Sequence, residues 1–584
     1  MRYRILPILL LAGLLVVAGC DGVADLDVEN PNAPNAERAI ADPSDLQSVL
    51  AGGYTSFWNG TYEAPGYYGF PHFDGWGDAM TTTNAFAGFW TMAVDEPRPR
   101  FQNTLSFSDL GIVSEPWGNL NSAISSANDV IRQIQINDFA VVIDGSDRTQ
   151  VTLAAAYFLR GLAYGHLANL FNQAYITTEE FNAEEDLASL GFSEYGAVLS
   201  QARADLGQAR SIAESNSFTV PNSLTLPFSN TLTADRLVRM INTFEARFIV
   251  SNPRSASEND AINWSEIRTL TQNGIEEDVV LDMDGNTWFS NYWYVSGLYW
   301  YWRVDNRILN MMDSDYPIKY PADQAGSPLP PAQSDDARLC PTSGDNPVFD
   351  GTTFFEGDAI EIARTEEFDD CYFAYDTDQS FFRVARGPTL QSNYWYVRDY
   401  VDEQWNFQPF GAGPGPVLLA EENRLMQAEA EMRASGGSKG TAIDLINNGS
   451  RVNAGQLAPL PGTASDEEVF TTIYYERDIE LYRTGIGLSW FDLRRRGQLQ
   501  AGTPLHLPVP ATELQTVGAE LYTFGGVGSA GEPGTASGDN AWCDQGSLSC
   551  DGPFAVPEGT IPGGSVTKSN ANAASGNSMT PPRR

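Results

Sequence analysis

The sequence is poor in basic residues and in histidine. Its 584 residues include 35 Lys and Arg against 75 Asp and Glu, which gives a formal net charge of −40 and a sequence pI near 4.2. Binding to nucleic acid or to anionic lipid headgroups needs a basic surface, so the composition argues against both partners. The three histidines, His72, His166 and His506, are far apart in the chain. Histidine-rich metal sites and His-based catalytic triads are therefore poorly supported.

Long apolar runs are also scarce. The apolar run from Ile8 to Val17 follows two arginines and is too short to span a bilayer as a stop-transfer helix. It ends in V-A-G-C, which resembles a lipobox, in which small residues precede a cysteine that becomes lipidated. We expect residues 1–19 to be a lipoprotein signal peptide and Cys20 to be lipidated, so that membrane attachment is by the N-terminal lipid only. The alternative is an ordinary secretory signal with an incidental cysteine.

Cysteine is rare, and export determines how the remaining cysteines are interpreted. Apart from Cys20 there are four, Cys340, Cys371, Cys543 and Cys550. An even number outside the cytoplasm favours disulfides. Four cysteines allow three pairings, and we favour Cys340–Cys371 and Cys543–Cys550 because each closes the shorter loop. A four-cysteine zinc site would need tighter paired spacings.

The composition of the chain, 42% hydrophobic and 11% aromatic, is typical of a globular protein. One segment, from Tyr474 to Pro510, has the strongest local pattern. It begins with apolar residues on one helical face, and Gly485 and Gly487 can end that helix. The sequence WFDLRR follows at residues 490–495. We expect a helix cap in which Asp492 pairs with an arginine and the two aromatic side chains enter the core.

The same segment resembles the C-terminal signature of the SusD/RagB family. These are surface lipoproteins that capture nutrients, usually glycans, for a TonB-dependent outer-membrane transporter. The residues on the pattern are Glu476, Arg477, Ile479, Glu480, Leu481, Gly485, Trp490, Phe491, Asp492, Leu493, Arg494 and Arg495. Two other segments, 154–167 and 422–430, are similar to helices of that family, and the resemblance extends in order over residues 17–515.

The resemblance implies a fold dominated by α-helix. Tetratricopeptide-like helix pairs would support long irregular loops with a few short strands. The expected organisation is a signal peptide (1–19), a lipid-anchored extended linker (20–45), one helical domain (46–555) with a ligand-binding excursion at about 280–410, and a low-complexity mobile tail (556–584). Apolar periodicity predicts helices at Asp45–Trp58, Trp117–Gln135, Thr152–Phe171, Tyr195–Ala213 and Thr233–Val250. The resemblance implies a further helix at Leu418–Arg433.

Two stretches are unusually aromatic, residues 58–90 and 288–303. The first is long and non-periodic, which indicates either an inward-packed loop or a recognition surface. In the second, the adjacent rings predict a strand or loop with rings on both sides. Trp and Tyr offer a flat apolar face and a polar edge, which suits sugar rings, although the rings can also pack on each other. The candidate ligand-binding residues are Trp76, Asp78, Asn84, Trp90, Trp288, Asn291, Tyr292, Trp293, Trp300 and Trp302.

One short acidic motif bears on cofactors. Residues 282–286, DMDGN, alternate oxygen donors with a glycine, as at the start of a calcium loop. The twelfth position of such a loop needs a bidentate glutamate, and Trp293 stands there. We therefore favour an ordinary tight turn and expect no cofactor, with a structural calcium ion as the alternative.

These features predict a non-catalytic binding protein at the cell surface of the outer membrane. Its expected partners are a glycan or peptide nutrient and a SusC-like TonB-dependent transporter. One alternative is an exported glycoside hydrolase that uses two carboxylates, but no acid pair is singled out by spacing, and no H-E-x-x-H or P-loop motif occurs. The other is a helical-repeat scaffold that binds only protein, and the surplus of Trp and Tyr counts against it.

Overall fold

The computed structural model describes residues 42–63, 71–84, 88–89, 92, 98–297, 301–321, 327–340, 342, 371–376, 390–398 and 411–539. The predicted signal peptide, Cys20, most of the linker and the C-terminal tail lie outside these ranges. The α-helices are α1 (Pro43–Trp58), α2 (Pro71–Trp76), α3 (Gly111–Gln135), α4 (Thr149–Leu170), α5 (Ala183–Asp186), α6 (Tyr195–Ser215), α7 (Ala234–Ser251), α8 (Ala256–Asp260), α9 (Trp264–Gln272), α10 (Asn291–Gly297), α11 (Asn306–Met312), α12 (Ala420–Arg433), α13 (Lys439–Asn447), α14 (Ser450–Asn453), α15 (Asp466–Ile479), α16 (Leu488–Arg495) and α17 (Ala511–Thr516).

The strands are short and pair in twos. Each described sheet has two antiparallel strands. The pairs are β1 (Met80–Thr81) with β9 (Arg303–Val304), β2 (Val142–Ile143) with β3 (Ser146–Asp147), β4 (Gln173–Tyr175) with β5 (Phe192–Glu194), β6 (Thr219–Val220) with β7 (Leu232–Thr233), β8 (Val279–Met283) with β12 (Gly413–Leu418), and β10 (Phe373–Tyr375) with β11 (Tyr394–Tyr396). The predicted fold class, helical with a few short strands, is confirmed. Within the described ranges, no helix combines the length and apolar character needed to cross a bilayer.

Helix α4 lies at the centre of the larger core. Residues 151–170 are all buried, as its apolar side chains on more than one face predict. It packs against α6 and α3. A Cβ added at Gly165 would lie 2.3 Å from Phe248 Cε2, and one at Gly161 would lie 2.7 Å from Leu206 Cγ. Glycine at these two positions lets α6 and α7 approach the α4 backbone closely.

Two aromatic stretches contain helix where the sequence indicated a strand or an irregular loop. Residues 71–76 form α2, and residues 291–297 form α10. At the start of α10, the hydroxyl of Ser290 accepts a hydrogen bond from the backbone N–H of Trp293 at 3.2 Å. Local capping and burial thus set the backbone here, and the alternating aromatic pattern did not reveal it.

The described residues form a large helical core and a second, aromatic core. The large core contains α1, α3, α4, α6 and α7 together with Trp490. The second core contains Phe89, Trp302, Tyr394 and Tyr482 among its buried rings. This core also includes Tyr475 and Ile479 of α15. It therefore joins the aromatic segments to that helix.

Candidate ligand-binding surface

The C-terminal signature is structural. Gly487 has φ +62°, a left-handed conformation that suits glycine, and it precedes α16. Trp490 is fully buried, and its indole N–H donates to the carbonyl of Pro504 at 3.0 Å. Asp492 accepts hydrogen bonds from Arg477 Nε at 2.6 Å and Arg495 Nε at 2.8 Å. The expectation that Asp492 pairs with an arginine while the aromatic side chains enter the core is confirmed, but the expected helix cap is wrong, because Asp492 lies inside α16.

Three aromatic segments that are distant in sequence lie side by side. Strand β1 pairs with β9, which places Thr81 opposite Arg303. The ring of Phe89 lies 5.3 Å from that of Trp302. Gln391, from the third segment, accepts a hydrogen bond from the backbone N–H of Thr83 at 3.1 Å. The segments that begin at residues 71, 288 and 390 therefore form one continuous region.

Four of the predicted ligand-binding rings are enclosed in this region. Trp76, Tyr292, Trp293 and Trp302 are each less than 5% exposed. Tyr292 donates its hydroxyl to Asp74 at 2.9 Å, and the Trp293 indole N–H donates to a backbone carbonyl at 3.2 Å. These rings support the region from inside, and in this conformation they offer no face to a ligand.

The carboxylates of the region are also held by neighbours. Asp78, another candidate, is buried, forms an ion pair with Arg98, and accepts from Gln500 Nε2 at 2.8 Å. Burial raises the pKa of Asp74 to about 7, although the hydrogen bond from Tyr292 opposes this. A protonated carboxyl can act as a general acid, but Asp74 is itself buried and committed to Tyr292. Asp74 therefore acts as a hydrogen-bond acceptor within the core.

Other rings of the same region reach the surface. Trp288, Phe289, Tyr294 and Tyr301 are half-buried, and we refer to these four as the aromatic rim. Trp288 lies edge-on to Trp58 with centroids 6.0 Å apart, Phe289 contacts Tyr294 at 5.8 Å, and Tyr301 contacts Phe89 at 5.8 Å.

Of the predicted candidates, Trp288 belongs to the rim. Two predicted amides are half-buried: Asn84, in the segment that begins at residue 71, and Asn291, in the segment that begins at residue 288. Trp90 and Trp300 lie outside the described residues. Phe289, Tyr294 and Tyr301 are not among the residues predicted from the sequence. They belong to the same aromatic run as the chosen residues, and only the tertiary structure separates the rings that face inward from those that face outward.

The calcium-like motif forms a tight turn that holds the rim. Gly285 has φ +73°, and the carboxylate of Asp284 accepts from the backbone N–H groups of Asn286 and Trp288 at 2.9 and 2.8 Å. An aspartate that binds its own backbone in this way is a common turn device. In the part of the chain that the structure describes, no group of three His, Cys, Asp or Glu side chains could hold a metal ion.

A disulfide lies beneath the second core. The Sγ atoms of Cys340 and Cys371 are bonded at 2.11 Å, which is one of the two pairings favoured from the sequence. The backbone N–H of Cys340 donates to the carbonyl of Phe373 at 2.9 Å, so the crosslink is attached to β10. Cys543 and Cys550 lie outside the described residues.

No protein-family profile and no curated protein matches the chain. Solved structures similar to it include a SusD superfamily protein from Bacteroides vulgatus, with 17% sequence identity and a TM-score of 0.47 over 82% of this chain and 90% of that one. A SusD-like carbohydrate binding protein from the same species has 16% identity and a TM-score of 0.47, with 79% of this chain and 86% of that chain covered. A structure solved with xylogluco-oligosaccharide has 12% identity and a TM-score of 0.45, with 77% and 82% covered. The matches to these three solved structures cover 77–82% of the chain.

Proposed function

We propose that this protein is a non-catalytic, lipid-anchored binding protein of the outer-membrane surface. It captures a glycan at the aromatic rim and delivers it to a SusC-like TonB-dependent transporter. The observation that carries the proposal is the meeting of the aromatic segments, which leaves several half-buried rings and two half-buried amides in one region. Half-buried aromatic rings beside amide groups are the side chains that bind the C–H faces and hydroxyls of sugars.

The rim rests on a rigid base. Below it, Trp58 stacks on Tyr62 at 4.9 Å, and Tyr62 stacks on Trp293 at 5.0 Å. The indole N–H of Trp58 donates to the carbonyl of Phe289 at 2.7 Å, which fixes the backbone of the rim. A binding surface whose rings are already held in position loses less conformational entropy when ligand binds. The buried candidate ring of Trp293 therefore contributes to binding indirectly, because it helps to hold the half-buried rings of the rim in position.

Glycan capture is tested by binding of a polysaccharide panel to purified protein, measured by affinity electrophoresis and calorimetry. We expect Trp288→Ala and Tyr301→Ala each to weaken binding about tenfold, since one aromatic contact contributes on the order of 1 kcal/mol beyond its buried area. Tyr195→Ala is the matched control, because Tyr195 is a half-buried tyrosine at the start of α6 in the helical layer. Equal binding by all three variants would remove the rim as the site.

The anchor and the transporter are tested in the cell envelope. Cys20→Ser should move the protein from the membrane fraction to the soluble fraction, because the lipid would be its only attachment. Native membranes solubilised in mild detergent should release the wild-type protein together with a TonB-dependent transporter in stoichiometric amount. Recovery of the protein alone, under conditions that preserve a known transporter complex, would contradict the uptake role and leave a free-standing glycan binder.

A further inference from the structure

Most of the described basic side chains are buried or half-buried. Among the described Lys and Arg residues, only Arg100 and Lys439 are exposed, and Lys439 pairs with Asp466 at 3.0 Å. The whole chain has three lysines, the other two being Lys319 and Lys568. The remaining described arginines are buried or half-buried. Positive charge is therefore scarce among the exposed side chains of the described residues, and the half-buried arginines that reach the surface, such as Arg203 and Arg239, are paired with carboxylates.

Exposed carboxylates are far more numerous and occur in every part of the described structure. Examples from well-separated elements are Asp138, Glu214, Glu277, Asp284, Glu467 and Glu532. Charges of one sign that are spread over a surface add up to a potential that extends into solution. Among the exposed charged side chains of the described residues, negative charge thus predominates.

The same separation of charge holds at the aromatic rim. Arg303, next to Trp302, is buried and pairs with Asp376 at 2.7 Å. Arg307 is also buried and forms two hydrogen bonds with the carboxylate of Asp478, at 2.8 and 2.9 Å.

On the outside, by contrast, the exposed carboxylate of Asp284 binds the backbone N–H of Trp288, and Asp282 is exposed two residues earlier. The rim is therefore bordered at Trp288 by the exposed carboxylates of Asp282 and Asp284. The guanidinium groups of Arg303 and Arg307, by contrast, bind carboxylates inside the protein.

The sequence of neighbouring segments outside the described ranges has the same bias. Residues 343–370 contain nine acidic residues and one arginine, and residues 399–410 contain three acidic residues and no base. Residues 377–389 contain one aspartate and two arginines. Taken together, these segments add further negative charge to the chain.

We propose that the captured glycan is neutral, and that the surface rejects glycans that carry carboxylate or sulfate groups. This inference rests on the proposed function, since it concerns the ligand of the same rim. Recognition of carboxylate or sulfate relies on Arg or Lys side chains that face the ligand, whereas the rim is bordered by exposed carboxylates. The repulsion between like charges lowers the association rate and the affinity of the wrong ligand, so specificity comes from a repulsive element.

The decisive test compares a neutral polysaccharide that binds the protein with a lightly sulfated preparation of the same polymer. At low salt we expect the sulfated form to bind at least tenfold more weakly. In about 0.5 M salt the Debye length falls to roughly 4 Å, so the difference should narrow. A steric effect of the added groups would not respond to salt in this way.

Charge variants locate the effect. Asp282→Asn removes an exposed carboxylate whose described hydrogen bond is with Ser229 Oγ, at 2.6 Å, and it should reduce the discrimination at low salt. Glu214→Gln is the matched change on α6 and should reduce the discrimination less. The repulsion between one carboxylate and a charged ligand decays within about a Debye length.

Three outcomes separate the hypotheses. Equal or tighter binding of the sulfated polymer at low salt would overturn the inference while leaving glycan capture intact. A difference that persists unchanged at high salt would also overturn it, because the cause would then be steric. Failure of every neutral and every anionic glycan to bind would instead refute the proposed function itself.

Discussion

Arg495 and Glu429 form a bidentate ion pair with no exposure to solvent. Arg495 Nη1 lies 2.8 Å from Glu429 Oε1, and Nη2 lies 2.7 Å from Oε2. Burial alone would raise the pKa of Glu429, but the guanidinium of Arg495 overrides it and the pKa falls to about 2. The pair joins α16 to α12, so two segments whose sequences resemble family motifs hold each other in place.

Removing one member of this pair should be strongly destabilising. Glu429→Gln leaves the buried guanidinium of Arg495 with Asp492 but without the bidentate carboxylate of Glu429, and we expect a loss of about 3 kcal/mol in the free energy of unfolding. Urea denaturation measures it. The matched control is Lys439→Ala, which breaks the exposed pair with Asp466 and should cost less than about 1 kcal/mol. Similar losses in the two variants would contradict a special role for the buried pair.

Glu421, on the same helix as Glu429, should give the opposite pH dependence. Burial raises its pKa from 4.5 to about 7; Glu480 and Glu476 add to the rise, while Arg424 and the Ser450 N–H oppose it. The folded state then binds a proton that the unfolded state releases above pH 4.5. Stability from this group is full below pH 4.5 and is lost as the pH rises to about 7.

The test of Glu421 is a pH series of unfolding curves. Glu421→Gln should be more stable than the wild type at pH 8, by on the order of 1–3 kcal/mol, and nearly equal to it at pH 4. The Glu429 pair, by contrast, contributes stability that is present above pH 4.5 and is lost as the pH falls towards about 2. A Glu421→Gln effect that is the same at both pH values would show that its carboxyl is not protonated in the folded state.

The disulfide should stabilise the second core. Cys340 and Cys371 are separated by 31 residues, and closing a loop of that size restricts the unfolded chain by about 3–4 kcal/mol. We expect the double variant Cys340→Ser/Cys371→Ser to lose about that much stability, and dithiothreitol to affect the wild type but not the variant. Non-reducing peptide mapping should recover the Cys340–Cys371 crosslink, and its absence would remove the basis of this prediction.

Two helix glycines that look alike in sequence should respond in opposite directions. Gly165→Ala places a methyl group 2.3 Å from the ring of Phe248, and overpacking of this kind costs about 1–3 kcal/mol. Gly118→Ala in α3 meets no atom within 4 Å and should stabilise the protein by about 0.5–1 kcal/mol through helix propensity. Thermal unfolding of both variants checks the contrast, and a stable Gly165→Ala variant would show that Phe248 can move aside.

Apolar periodicity was sufficient to predict the helical layer. The predicted helix at 152–171 is observed at Thr149–Leu170, and the one at 195–213 is observed at Tyr195–Ser215. These helices bury long apolar faces, so their pattern survives in the sequence. Asp492 was equally predictable, because an acid among arginines and aromatic side chains has few ways to be buried except by pairing.

The orientation of individual aromatic rings could not be predicted. Trp293 is buried and Tyr294 is half-buried, although they are adjacent in one aromatic run. Their difference depends on α10 and on contacts with Tyr62, which lies more than 200 positions earlier in the chain. Such long-range contacts cannot be deduced from the local sequence, so the sequence could indicate an aromatic region but not which of its side chains reach the surface.

The internal placement of arginine also affects how the folded protein meets proteases. Trypsin-like enzymes cleave after Lys or Arg and need several residues of accessible, extended backbone around the cleaved bond. Over the described ranges, nearly all arginines are fixed by ion pairs or by backbone carbonyls inside the fold, as Arg494 is by Asn169 and Ser251. A chain that carries 32 arginines therefore offers such enzymes few sites in this part of its structure while it remains folded.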